Sequence, residues 1–220
     1  MVKVSNSIIS ERYLDEILNL IVVVTAEMLS SKICSIMLLD DKGEELRIKA
    51  TQSLSEEYKK KPGLKVNNSL LGDVVKTRKP LVVADVRQDS RYVYRDLAVK
   101  ENLSSMIAVP MIVKDKAIGV INVYTNEVHQ FTGEEVSVLQ MVANQAAVAV
   151  ENTKLVEEAS KIRETLETRK LVERAKGILM RMNNLSEEAA HRMIHKKSMD
   201  NCKSMKDIAE SIILMDEFRQ

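Results

Sequence analysis

From Glu134 to Lys176 the chain contains neither glycine nor proline, the two residues that most often interrupt helices. At about 1.5 Å per residue, this segment can form a single helix roughly 65 Å long. Thr132 is its predicted N-cap, and Glu134 and Glu135 fall in the first turn, where the helix dipole stabilises carboxylates. A chain of 220 residues is expected to form two domains, and this helix is the predicted connection between them.

The part before this helix contains the turn-forming residues, with all three prolines and five of the six glycines. Two β-hairpins are predicted there, from Ile33 to Ala50 with a turn at Asp40–Gly43, and from Ser105 to Tyr124. Helical periodicity is present from Ser10 to Met28 and again from Ser69 to Thr77. Helices combined with antiparallel hairpins predict an α+β fold rather than a doubly wound α/β fold.

The second half of the long helix carries an apolar stripe with the coiled-coil spacing of 4, 3 and 4 residues. The stripe consists of Leu155, Ala159, Ile162 and Leu166. Continuing this spacing leads to the polar residues Arg169 and Glu173, so the stripe ends there. We therefore predict domains at residues 1–154 and 169–220, joined by a coiled-coil linker helix at residues 155–168, and a homodimer that pairs through the stripe. An ordinary surface helix, packed within its own chain, is the alternative.

The last part of the chain has the pattern of a compact three-helix bundle. Ser186 is a predicted N-cap, and Ser204–Asp207 forms a predicted capping box at the start of the last helix. Between Thr168 and Lys206 ten bases stand against four acids, a net charge of +6 in a chain whose total is +1. A basic module of this kind favours a polyanionic partner, although a solvated charged face is the alternative.

Past Leu166 a new apolar stripe begins out of register and is expected to face inward; it consists of Leu171, Ala175, Ile178 and Met182. Helical spacing places several of the bases on one outward line, opposite this second stripe. Gly177 lies within the line and lets a partner backbone approach closely. A tolerated helical glycine, or a close contact between two helices of the bundle, is the alternative. The candidate nucleic-acid-binding residues are Lys170, Arg174, Lys176, Gly177, Arg181, Arg192, Lys196 and Lys197. Because no aromatic residue occurs between Phe131 and Phe218, stacking of bases on aromatic rings is not expected here, and phosphate contacts and backbone shape must suffice.

No set of residues typical of catalysis is found, so we expect no enzyme activity and no cofactor beyond an unidentified small-molecule ligand. The chain has neither a phosphate-binding loop nor a G-x-S-x-G motif. Glu187, His191 and His195 share one helix face, but nothing completes a ligand shell, so no metal site is predicted. The two cysteines are far apart, no apolar run approaches roughly 18 residues, and no signal-peptide core is present, so we expect a cytoplasmic protein without membrane contact.

The first half, from about Glu11 to Lys154, resembles a GAF domain. The residues that carry this resemblance are Phe131–Val136, Leu139, Ala143, Gln145, Ala147, Val150, Glu151 and Asn152, together with the hairpin residues Val109–Met111 and Ile118–Val123. The resemblance implies a six-stranded antiparallel sheet and, in many members, a small molecule bound between sheet and helices. The sequence lacks the signatures of the members that bind cyclic nucleotides, of those that bind bilins and of the free methionine sulfoxide reductases. The identity of the ligand therefore stays open, and a purely structural or dimerising domain is the alternative.

The last part, roughly Leu166 to Met215, resembles an ANTAR domain. The residues that carry this resemblance are Arg174–Met180, Leu185–Ala189, Ile208 and Ala209. The resemblance implies an RNA-binding regulator of transcription termination, which binds paired stem-loops in leader RNA and is controlled here by the preceding sensor domain. The alternative is a dimeric, small-molecule-sensing signalling protein whose helical bundle binds a protein partner.

Overall fold

A computed structural model describes residues 2–53 and 55–218, with side chains from residue 12 onward. The chain forms two compact units, residues 1–155 and residues 156–220, which we call the sensor unit and the bundle unit. Among the described residues no helix is long and apolar enough to cross a lipid bilayer.

The sensor unit is built on a six-stranded antiparallel sheet with the strand order β3-β2-β1-β6-β5-β4. The strands are β1 (Ile33–Leu39), β2 (Glu45–Thr51), β3 (Leu64–Lys65), β4 (Leu81–Val83), β5 (Met106–Val113) and β6 (Lys116–Tyr124). Both predicted hairpins are present, as β1–β2 and β5–β6, and the α+β class is confirmed. The two-residue strand β3 is too short to leave a periodic signal in the sequence.

Seven helices are described along the chain. They are α1 (Val2–Met28), α2 (Glu56–Lys59), α3 (Leu70–Thr77), α4 (Arg95–Lys100), α5 (Gly133–Asn183), α6 (Glu187–Asp200) and α7 (Met205–Glu217). The long helix α5 runs through Gly177 and ends at Asn183, since a glycine costs an exposed helix only about 1 kcal/mol and does not stop it.

Successive strand residues point to opposite faces of the sheet, and each face carries its own core. Ile121 and Val123 of β6 belong to a cluster with α1 and the first part of α5, where Ala143 is fully buried. Val120 and Tyr124 point to the other face, into a cluster with α3 and α4.

Residues of α5, α6 and α7 form the core of the bundle unit. Its buried side chains are Val172, Ala175, Ile178, Leu179, Ala190, Ile194, Ile208, Ala209 and Ile213. Met182, expected to face inward, is 40% exposed, and Val172 and Leu179 take the inward positions on α5 instead. Both predicted caps are observed, since Ser186 Oγ accepts a hydrogen bond from the amide of Ala189 and Ser204 forms a capping box with Asp207.

Candidate nucleic-acid interface

The predicted line of bases on α5 lies on the surface of the bundle unit. Lys170, Arg174, Gly177 and Arg181 are all exposed, as helical spacing predicts for positions opposite the buried stripe. We call these four residues the α5 strip. Their position agrees with a binding surface, and their role in binding stays a prediction.

Two carboxylates from the end of α7 already bind the arginines of the α5 strip. Arg174 donates a hydrogen bond from Nη2 to Oε1 of Glu217 at 2.9 Å, and Arg181 donates one from Nη2 to Oδ2 of Asp216 at 2.7 Å. The Asp216 side chain is only 16% exposed, whereas that of Glu217 is 58% exposed. These partners follow the arginines by 43 and 35 residues, so no local pattern could reveal them. The arginine charges are therefore partly balanced within the bundle.

Lys176 was expected among the binding residues, but its side chain is buried between two acids. Its Nζ lies 2.8 Å from Oε2 of Glu173 and 2.7 Å from Oε1 of Glu187. The hydrogen bond to Glu173 is the main cause that raises the pKa of Lys176, and the hydrogen bond from Lys176 lowers the pKa of Glu187. Lys176 thus joins α5 to the first turn of α6 and does not offer its charge to a partner on the surface.

Gly177 has open space where a side chain would stand. A Cβ atom built on it meets no other atom within 4 Å, so no close contact described in the bundle requires glycine here. The residue leaves a gap in the α5 strip between Arg174 and Arg181, through which a partner backbone can reach the helix.

The predicted bases of α6 differ from the two arginines of the α5 strip because no acid of the described residues pairs with them. Arg192, Lys196 and Lys197 are exposed and take part in none of the ion pairs found among residues 12–53 and 55–218. His191 and His195 are exposed on the same helix. No group of histidine, cysteine and acidic residues suited to a metal ion occurs in the described part of the chain.

The side chains of the coiled-coil stripe are exposed to solvent. Leu155, Ala159, Ile162 and Leu166 are all exposed, with Ile162 at 61%. An apolar line of this kind on an isolated helix needs a partner surface to leave water, which agrees with a dimer seam without establishing one.

The interior of the sensor unit is filled by tyrosines where a small molecule is expected between sheet and helices. Tyr58 and Tyr92 each pack edge-on against the ring of Tyr124, with ring centroids 6.3 and 6.2 Å away. The hydroxyl of Tyr92 donates to that of Tyr124 at 3.0 Å, and burial raises the pKa of both phenols. The cavity that Tyr92 and Tyr124 help to line holds only about 10 Å³, roughly the space of one water molecule.

One buried side chain beside these tyrosines has no hydrogen-bond partner. Asn122 on β6 is fully buried, and neither its Nδ2 nor its Oδ1 atom reaches a polar atom of the described residues. Its neighbour across the sheet, Ser35, bonds Thr51 Oγ1 and the hydroxyl of Tyr58 instead, each at 3.0 Å.

Comparison with protein families matches both units. Residues 11–151 match the model of the GAF domain, and residues 160–213 match the model of the ANTAR domain.

Two curated relatives each cover one part of the chain. A methyl sulfide methyltransferase-associated sensor from Methanosarcina acetivorans is 29% identical over 155 residues, which are 68% of this chain and 16% of that protein. The transcriptional regulatory protein PdtaR from Mycobacterium tuberculosis is 43% identical over 63 residues, which are 29% of this chain and 31% of that protein. The chain thus spans less than a third of either relative.

Solved structures support the fold of the sensor unit. The GAF domain of a phosphoenolpyruvate-protein phosphotransferase from Coxiella burnetii is similar with a TM-score of 0.60 at 24% identity, over 71% of this chain and 99% of that one. The corresponding domain from Acinetobacter gives 0.57 at 19% identity, over 69% and 97%. At these identities the likeness concerns the fold alone.

Proposed function

The chain belongs to the GAF domain family and carries an ANTAR domain after it, and we propose on this basis that it is a non-enzymatic RNA-binding regulator of transcription termination. In this proposal the sensor domain at residues 1–154 controls the RNA-binding domain at residues 169–220 through the linker helix at residues 155–168. The RNA partner is a pair of stem-loops in a leader transcript.

The observation that carries the proposal is the exposed basic surface of α5 and α6. Lys170, Arg192, Lys196 and Lys197 present charges that no described acid neutralises, and the two arginines of the α5 strip are exposed as well. Lysine and arginine side chains neutralise phosphates and release counterions, which is the main sequence-independent source of affinity for nucleic acid. With Phe218 as its one aromatic residue, this unit is suited to the backbone and shape of a folded RNA rather than to stacked single strands.

Pairing of two chains explains why two stem-loops are proposed. The exposed stripe at Leu155, Ala159, Ile162 and Leu166 gives each chain a surface for a second copy. A homodimer formed in this way carries two bundle units, one for each stem-loop. Binding both loops together raises the overall affinity through effective concentration.

The sensor domain is proposed to respond to a small-molecule effector. Its interior space of about 10 Å³ admits such a molecule only after the tyrosines move. Lys61, whose Nζ lies 4.0 Å from the centre of the Tyr58 ring, covers the same region from outside. An effector that binds only the opened form shifts the equilibrium by its differential affinity for the two forms.

The test is the affinity of the full chain for a leader RNA with tandem stem-loops, measured by fluorescence anisotropy over a range of salt concentrations. We expect the affinity to fall steeply with salt, because each phosphate contact contributes to the slope. The triple variant Arg192→Ala, Lys196→Ala, Lys197→Ala should bind more weakly with a slope smaller by about three. The matched control is Lys161→Ala, an exposed base outside the proposed surface.

Absence of any salt-dependent binding to structured leader RNAs would reject the proposal. The second candidate, a bundle that binds a protein partner, would then account for the exposed apolar residues Leu214 and Met215 on α7 and Phe218 directly after it.

A further inference from the structure

Five exposed bases meet at one end of the sheet of the sensor unit. Three of them lie at the end of α3 or directly after it, and two lie at the tight turn between β5 and β6. The two segments touch, because Arg78 donates a hydrogen bond from Nη1 to the backbone carbonyl oxygen of Asp115 at 2.8 Å. We call these bases the turn patch, which consists of Lys76, Arg78, Lys79, Lys114 and Lys116.

Most of the positive charge of the turn patch is not neutralised by the protein. Lys76, Lys79 and Lys116 take part in none of the ion pairs found among residues 12–53 and 55–218. Lys114 is paired, with its Nζ atom 3.2 Å from Oε1 of Glu151 on α5. The segments 76–79 and 114–116 together hold five bases and one acid, a net charge of +4 within a sensor unit that is otherwise acidic.

The backbone under the turn patch is in an unusual conformation. Arg78, Lys114 and Asp115 have φ angles of 56°, 47° and 63°, in the left-handed region. Glycine is the usual residue for this conformation at the end of a helix, and asparagine followed by glycine in a two-residue hairpin turn. The chain thus carries two long cations where smaller residues are less strained. Strained positions of this kind cluster at functional sites.

We propose that the turn patch is a second contact surface for RNA, which binds phosphates of the leader transcript outside the stem-loops that the bundle unit binds. The inference rests on the RNA binding proposed above and adds a contribution of the sensor unit to it. Exposed lysine and arginine side chains gain affinity for nucleic acid by neutralising phosphates and releasing counterions, whatever the base sequence.

The composition of the turn patch favours RNA over a protein partner. Protein interfaces are centred on buried apolar and aromatic side chains, with charged residues at the rim. The segments 76–79 and 114–116 contain no apolar and no aromatic residue. They can supply the charged contacts of an interface but not its apolar centre, which a phosphate backbone does not need.

An acidic turn limits the side from which RNA can approach. Asp40, Asp41 and Glu44 belong to the turn between β1 and β2. This turn lies at the same end of the sheet, because β1 and β6 are neighbouring antiparallel strands. Its charges repel phosphates, so the basic surface is confined to the side of β5 and β4, where α3 ends.

The test compares two RNAs on the full chain, the tandem stem-loops alone and the same stem-loops with a single-stranded flank on each side. The patch variant is Lys76→Ala, Lys79→Ala, Lys116→Ala, which leaves the contacts of Arg78 and Lys114 in place. The matched control is Lys32→Ala, Lys42→Ala, Lys65→Ala, which removes three exposed lysines of the same unit outside the patch. It controls for the loss of net charge.

We expect the wild type to bind the flanked RNA about tenfold more tightly than the stem-loops alone at low salt, because the flank adds a second contact within one molecule. The patch variant should lose this gain, with a salt slope on flanked RNA smaller by about two. Its affinity for the stem-loops alone should stay within about twofold of wild type, and the control should keep the gain.

Three results would overturn the inference while leaving the proposed function intact. They are a wild type that gains nothing from the flanks, a patch variant that keeps the gain, and a control that loses it equally. Failure of the wild type to bind the stem-loops alone would reject the proposed function and this inference with it. Binding to phosphatidylserine vesicles that only the patch variant loses, with its RNA affinities unchanged, would assign the turn patch to a lipid surface instead.

Discussion

Arg181 on α5 donates a hydrogen bond from Nη2 to the Oδ2 atom of Asp216 near the end of α7, at 2.7 Å. This hydrogen bond joins the first and last helices of the bundle unit. It also places a carboxylate where the proposed function expects a phosphate, so RNA and Asp216 compete for one guanidinium.

Replacing that carboxylate should strengthen RNA binding. In Asp216→Asn the shape is kept and the negative charge is lost, so we expect affinity for a stem-loop RNA to rise a few-fold at low salt. The loss of one partly exposed ion pair should cost the bundle at most about 1 kcal/mol. The measurement is a titration beside Glu210→Gln, an exposed acid of the same helix. Equal affinities for Asp216→Asn and wild type would show that Arg181 does not contact RNA.

Removing the arginines themselves should have the opposite effect. Arg174→Ala and Arg181→Ala should each weaken RNA binding and lower the salt slope by about one, as expected for the loss of a phosphate contact. Both side chains are more than half exposed, so the melting temperature should change little. Lys161→Ala serves as the control. If both arginine variants bind like wild type, the α5 strip is only a solvated surface.

Replacing Lys176 should lower the stability of the bundle unit and leave its affinity for RNA nearly unchanged. In Lys176→Met the two ion pairs to Glu173 and Glu187 are lost, and we expect a lower melting temperature with nearly unchanged RNA affinity once the protein is folded. Because the pKa of Glu187 is lowered in the folded state, its ion pair stabilises the fold fully at pH values above the unfolded pKa of 4.5. This stabilisation is lost as the pH falls through the lower pKa of the folded state. The raised pKa of Lys176 means that its contribution is complete below 10.5 and is lost at higher pH.

The difference in melting temperature between Lys176→Met and wild type should therefore be largest between about pH 5 and pH 10 and shrink outside this window. Thermal melts across that range check it. A difference that stays constant from pH 3 to pH 7 would mean that the ion pair with Glu187 does not stabilise the bundle.

If two chains pair through the coiled-coil stripe, a charge placed in that stripe should change the oligomeric state. Ile162→Asp places a carboxylate in the middle of the apolar line, and burying it against a second helix is costly, so the variant should be monomeric. Analytical ultracentrifugation of this variant is compared with Lys161→Asp, which puts the same charge on the next exposed residue but off the line. A dimer in both variants, or a monomeric wild type, would contradict the seam.

The unpartnered amide of Asn122 should limit the stability of the sensor unit. Asn122→Leu removes two buried polar groups and keeps a similar volume, so we expect the unit to gain about 1 to 3 kcal/mol in free energy of unfolding. Denaturant unfolding measures the change, with Asn144→Leu, an exposed position on α5, as the control. A marked loss of stability in Asn122→Leu would show that the amide has a partner in solution.

Features that depend on neighbouring residues were predictable from the sequence. The hairpins follow from alternating strands around Asp40–Gly43, and the caps at Ser186 and Ser204 follow from residues three positions apart. The short elements α2 and β3 carry too few residues for a periodic signal in the sequence.

The candidate interface was predictable only in part, because charge counting ignores contacts between distant residues. The basic segment ends at Lys206, and the acids of α7 follow it directly in the sequence. Two of these acids, Asp216 and Glu217, lie beside the arginines of α5 in the folded bundle. In the same way, the sequence shows Lys176 only as one more base of this segment, and the packing of α6 against α5 is what brings the carboxylate of Glu187 to its ammonium group.

The positions of the tyrosines mean that the near-ultraviolet signal of the chain comes from one of its two units. There is no tryptophan, and all five tyrosines, at positions 13, 58, 92, 94 and 124, belong to the sensor unit. Near-ultraviolet circular dichroism and tyrosine emission therefore follow the sensor unit alone, whereas the helical signal in the far ultraviolet follows both units. Unfolding of the two units can therefore be followed separately in one unlabelled sample. A small molecule that displaces the buried tyrosine rings should change the near-ultraviolet circular dichroism.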